Sequence, residues 1–150
     1  MNPRKKLLVA LDFGPHSDAI LYEALELAES IDATIHVLHA FTLQDMDETV
    51  SLSPNLFAHF KTSRHSLLLV AGARCRARGR LGTLLWHEGD PAAQILLTAA
   101  AVDADMIVIG ASRRRPLTRL RLGSVTEAVV RKAECTIMVV REKRSAAADN

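Results

Sequence analysis

The chain has 150 residues, the length of one domain, and 49% of them are hydrophobic, 24% charged and 4% aromatic. That is enough apolar material for an aliphatic core and excludes wholesale disorder, while so few aromatics weaken any base-stacking nucleic-acid platform. A net charge of +2 from 19 basic and 17 acidic residues does not argue for nucleic acid, and two cysteines make neither a disulfide framework nor a four-thiolate zinc site.

The start MNPRKK runs straight into LLVAL, too short for a signal peptide, and no apolar run reaches the roughly 18 residues of a membrane span, so a cytoplasmic protein is expected. Residues 6–11 (KLLVAL) are an uninterrupted apolar run ending at Asp12, the pattern of a strand buried on both faces. FGPHS is turn chemistry, and a helix is predicted from His16 or Ser17 to about Ser30, with Ile20, Ala24, Leu27, Ala28 and Ile31 on one stripe. TIHVLHA (34–40) is a second strand, followed over 41–55 by a long polar loop. A long helix is predicted from Leu56 to Arg78, ended by Gly79 and Gly82, then a short strand over 83–87. Asp90 suits an N-cap and Pro91 the first turn of the next helix, which ends near Asp103. MIVIG (106–110) is a fourth strand, an arginine-rich loop leads to a helix over 124–133, and TIMVV (136–140) is a fifth strand. The reading is one domain over 1–143 with a polar, disordered tail at 144–150.

Strands alternating with helices imply right-handed crossovers and one parallel sheet covered on both faces. Ligands of such sheets sit outside the carboxyl ends of the strands, which directs attention to Asp12–Ser17, Ala40 and Phe41, Glu88–Pro91 and the stretch from Gly110. Several familiar sites are missing: no P-loop, no G-x-G-x-x-G after the first strand, no G-x-S-x-G elbow, no C-x-x-C and no acidic cluster of a phosphoacceptor domain. His36 and His39, three apart on a strand, point to opposite faces and do not share a metal, and His59 and His65 read as helix-surface residues. Cys135 reads as a small buried hydrophobe. Arg74, Arg76, Arg78 and Arg80 read as a solvated helix end.

What is left is GASRRRPLTRLRLGSVTEAVVRK, residues 110–132. Gly110 ends a strand, and Gly123 precedes Ser124 where a helix starts. Backbone N–H groups and the dipole at a helix N-terminus favour a phosphate, and the intervening guanidinium groups add charge and forked hydrogen bonds. The same Gly–Ser pair also serves as an ordinary helix start, and Asp12 as a turn cap.

Over residues 5–142 the chain resembles the universal stress protein family. The resemblance is carried by KKLLVALDFGPHSDAILYEALELAESIDATIHVLHA, by GDPAAQILLTAAAVDADMIVIG and by LGSVTEAVVRKAECTIMVVREK, in order and at the right distances. It implies an α/β, Rossmann-like fold of the adenine nucleotide alpha hydrolase type, a five-stranded parallel sheet of order 3-2-1-4-5 with helices on both faces, and often a homodimer. The TIMVV strand then lies at a sheet edge, where a second copy would cover it. Nucleotide-binding members carry G-x2-G-x9-G-[ST] after the fourth strand, for which Gly110, Gly123 and Ser124 match and Arg113 stands at the middle glycine. By that resemblance Asp12 faces adenine or ribose, Ala10, Leu11 and Ala40 line the base pocket, and Gly110, Gly123, Ser124 and Val125 cradle phosphates.

A left-handed Arg113 would cost about 1–2 kcal/mol, and a charged hydrogen bond to phosphate contributes about 1.5–3 kcal/mol, so these magnitudes leave two readings open. In the first, the chain is a stress-response regulator that binds ATP, ADP or AMP, with Mg2+ only alongside ATP. In the second, Arg113 closes the site and the basic loop docks an acidic protein, as yet unidentified, or less readily a nucleic acid. An adenylate-forming hydrolase is the weakest reading: the sequence pairs no nucleophile with a base, so at most slow ATP hydrolysis is expected.

Overall fold

A computed structural model describes residues 2–42, 53–111 and 122–141. Its elements are β1 (Lys5–Ala10), α1 (Ser17–Ile31), β2 (Ala33–Phe41), α2 (Pro54–Ala77), β3 (Leu81–Glu88), α3 (Pro91–Val102), β4 (Met106–Gly110), α4 (Ser124–Lys132) and β5 (Thr136–Val140). The strands form one parallel sheet in the order β3-β2-β1-β4-β5. Leu7 lies opposite Ile35 on β2, Leu8 opposite Ile107 on β4, and Val108 opposite Met138 on β5.

The apolar run of β1 lacks alternation because helices cover both of its faces. Leu7 and Val9 pack with α1 and α2 through Leu21, Leu25, Leu68 and Cys75. Leu8 packs the other way, with Ile95 of α3 and Val129 of α4. Leu7, Leu8 and Val9 are fully buried, each stabilising the fold by roughly 1.5–3 kcal/mol relative to exposure. Burial also pushes the Cys75 thiol up to about 11, against the smaller opposing effect of the Arg74 charge.

Local chemistry sets the element ends. Asp90 caps α3 by accepting from the Ala93 N–H at 2.9 Å, with Pro91 in the first turn, as the sequence predicts. Gly79 ends α2 at φ 68°, where the Arg80 N–H reaches back to the Cys75 carbonyl. Gly82 does not end that helix. It lies in β3, which is longer than predicted and whose pairing with β2 shifts register between Ile35 and Val37. The His36 ring fills the space over Gly82, and a side chain there would meet the ring at 2.7 Å.

Two further expectations are corrected. The buried stripe of α1 runs through Ile20, Leu21, Ala24, Leu25 and Ala28, while Ile31 is exposed, because α2 as well as the sheet packs on this helix. The arginines at the end of α2 are not merely solvated. Arg74 pairs with Asp18, Arg78 with Glu26 and Glu29, and Arg80 with Asp32, so they strap α2 to α1 and its C-cap. Among the described residues no helix is long and apolar enough to cross a membrane.

Candidate functional site

At the carboxyl ends of β1, β2 and β4 the sheet opens into a cleft of about 570 Å³, within the usual size range of small-ligand sites. Ala10, Leu11 and Asp12 line it from the end of β1, Ala40 from β2, and Gly110 from β4. Gly123, Ser124 and Val125 line it from the start of α4. Eight of the nine residues singled out in the sequence therefore meet in one place; the ninth, Arg113, lies outside the described residues.

The two glycines are brought together from either side of the arginine-rich stretch. The Gly123 N–H donates to the Ala111 carbonyl at 2.8 Å, and the Thr126 hydroxyl donates to the Gly110 carbonyl at 2.7 Å. The first turn of α4 is thus tied to the end of β4 and faces the cleft. Gly123 is its N-cap and supplies no side-chain cap, so the first N–H groups of the helix need other acceptors. Gly110 makes room for α1: a side chain there would meet Ile20 Cδ1 at 2.8 Å.

Asp12 is a turn cap that also lines the cleft. Its Oδ1 accepts from the Gly14 N–H at 2.7 Å and from the Ser17 hydroxyl at 3.4 Å. Phe13, between Asp12 and Gly14, sits at φ 59°, a left-handed conformation uncommon for a bulky residue.

Of the opposite wall, sequence reasoning marked only Phe41. His39 is buried, with Nδ1 2.8 Å from the Leu11 carbonyl. That carbonyl accepts, so Nδ1 carries the proton. Phe41 packs 4.8 Å from Trp86, and the Phe60 ring of α2 stands 6.4 Å from Phe41. Arg64 lies over Phe60 at 5.1 Å and donates to the Asp12 carbonyl at 2.7 Å. Phe60 and Arg64 also border a second groove, of about 440 Å³, lined by α2 and by Phe13. His65, exposed as expected, meets Trp86 edge-on at 4.8 Å.

The profile of the universal stress protein family matches residues 3–141. The chain belongs to that family. It is 28% identical to the stress response protein NhaX of Bacillus subtilis, over 91% of this chain and 97% of that protein. It is 30% identical to the universal stress protein A homolog 2 of Coxiella burnetii, over 97% of this chain and all of that one. Among solved structures, it is similar to the universal stress protein UspA from Lactobacillus plantarum, with TM-score 0.67 and 28% identity over 93% of this chain and 100% of that one. The fold is also shared with a universal stress protein in complex with cAMP, at TM-score 0.67 and 18% identity, covering 93% of this chain and 98% of that one. A universal stress protein from Archaeoglobus fulgidus in complex with dAMP matches at TM-score 0.63 and 21% identity, over 94% of this chain and 100% of that one.

Small side chains and main chain on one side of the cleft suit a flat base, and a helix N-terminus on the other suits an anion. Among the described residues, Asp12 and Asp90 are the carboxylates that line it. Among the described residues no three His, Cys, Asp or Glu side chains gather to hold a metal ion.

Proposed function

We propose that this universal stress protein is a regulatory protein that binds an adenine nucleotide in the cleft between β1 and β4. The observation that carries the reading is the meeting of Asp12, Ala40, Gly110 and the Gly123–Ser124 helix start around one cavity of nucleotide size. In this reading Ala10, Leu11 and Ala40 border the base, and Asp12 accepts a hydrogen bond from the ribose or base. The N–H groups of the first turn of α4, with the Ser124 hydroxyl, hold the phosphate through charge-assisted hydrogen bonds and the helix dipole. Mg2+ enters only alongside ATP, bound mainly by the phosphates. Relatives of the same fold described as complexes with cAMP and with dAMP support the choice of an adenine nucleotide.

A second reading rests on Arg113, which stands where nucleotide-binding members have a glycine. An arginine plugging the site would leave an interaction module whose basic loop meets an acidic partner. Native mass spectrometry of freshly purified protein separates the two. A co-purifying mass of AMP, ADP or ATP supports the nucleotide reading, and a ligand-free protein that also takes up no added nucleotide supports the interaction module.

A further inference from the structure

Arg64 reaches from α2 to a turn that lies 52 positions earlier in the chain. The turn is strained: Phe13 holds φ 59° directly after the Asp12 carbonyl that Arg64 binds. Such a conformation persists where its surroundings over-determine it, and these outliers cluster at functional sites. Among the described residues, contacts from three directions hold this one. Within the turn, the Gly14 N–H is bonded to the Asp12 carboxylate at 2.7 Å. From the sheet, the His39 ring packs 4.8 Å from the Phe13 ring. From α2, Arg64 grips the Asp12 carbonyl at 2.7 Å and is itself set by Phe60, one helical turn before it.

The Arg64 contact restrains the plane of the Asp12–Phe13 peptide, and with it the turn in which the Gly14 N–H holds the Asp12 carboxylate. We propose that Arg64 is a positioning residue of the cleft: its hydrogen bond to the Asp12 carbonyl holds the turn that presents the Asp12 carboxylate to the nucleoside part of the ligand. The inference rests on the reading of the cleft as an adenine-nucleotide site. It assigns Arg64 to the nucleoside end through Asp12, although a guanidinium in such a cleft would ordinarily be taken for a phosphate ligand.

The test is calorimetric titration of AMP and of adenosine into wild type, Arg64→Ala and Arg64→Lys, with hydrogen exchange at the Gly14 amide followed by NMR. Arg64→Ala should weaken AMP and adenosine by the same factor, up to about tenfold, because binding must then order the turn that Arg64 no longer holds. Gly14 exchange should speed up while core amides such as Leu8 do not change, and Arg64→Lys, which keeps one donor, should recover part of both effects. A loss confined to AMP would make Arg64 a phosphate ligand and overturn the proposal. Unchanged affinity or unchanged Gly14 exchange would overturn it as well. The Lys variant carries the same comparison if the Ala variant does not fold. Wild-type protein that binds neither compound would refute the nucleotide reading and this inference with it, whereas wild type that binds beside an Arg64→Ala that binds equally well would refute the inference alone.

Discussion

At the scale of single residues, the cleft depends on how closely backbone can approach a ligand. Gly123 sits at φ −63°, so no conformational strain demands glycine there; what glycine offers is access to the first turn of α4. Gly123→Val should place a branched side chain at that approach and weaken AMP binding by more than about tenfold, with the melting temperature little changed, as checked by titration and thermal denaturation. Arg113 separates the two functional readings. If its guanidinium meets phosphate, Arg113→Ala should lower affinity for ATP more than for adenosine. If it plugs the site, Arg113→Gly should create or improve ATP binding. Equal affinities in both variants and wild type would mean that neither role is right.

At the scale of elements, α1 and α2 are held side by side by a charge strap as well as by packing. Asp32, the left-handed C-cap of α1 at φ 53°, receives Arg80 at 2.6 Å and Arg4 at 3.2 Å. The hydrogen bond from Arg80, with the charges of Arg4 and Arg80, holds its carboxyl below the usual value despite partial desolvation. A carboxyl depressed in the folded state contributes stability that is present above its unfolded value of about 4 and is lost as pH falls through the folded value. Asn is at home in the left-handed region, so Asp32→Asn removes the charge and keeps the cap. It should lower the melting temperature slightly at neutral pH, less so in high salt, and the gap should close in acid, as pH falls through the carboxyl's lowered folded value. A gap of equal size at both pH values would show that the cap geometry, not the charge, was lost. These elements also show what the sequence made legible. Period and turn chemistry were enough for the strands, for the Asp90–Pro91 helix start and for Gly79, because each is decided within a few residues. The strand order came from the family resemblance, since alternation alone permits several orders. The orientation of α1, the arginine strap and the Phe60–Arg64 wall were not legible, because each depends on partners about 50 residues away that only the packing of α2 brings near.

At the scale of the whole molecule, β5 lies at one edge of the sheet, apolar from Ile137 to Val140, and those four residues stay half-buried in a single chain. An open apolar edge invites pairing, and a second copy in two-fold arrangement would satisfy its N–H and C=O groups. A homodimer through β5 is therefore expected by light scattering at tens of micromolar. Met138→Pro should shift it towards monomer or aggregate by removing a strand hydrogen bond. A monomeric wild type would refute the dimer, and a dimer indifferent to the proline would move the interface elsewhere. The central claim concerns what the cleft between β1 and β4 holds, and titration of AMP into folded wild-type protein tests it most directly. The account predicts measurable heat and a Kd between micromolar and millimolar; no heat at millimolar AMP, with the protein shown to be folded, would contradict it.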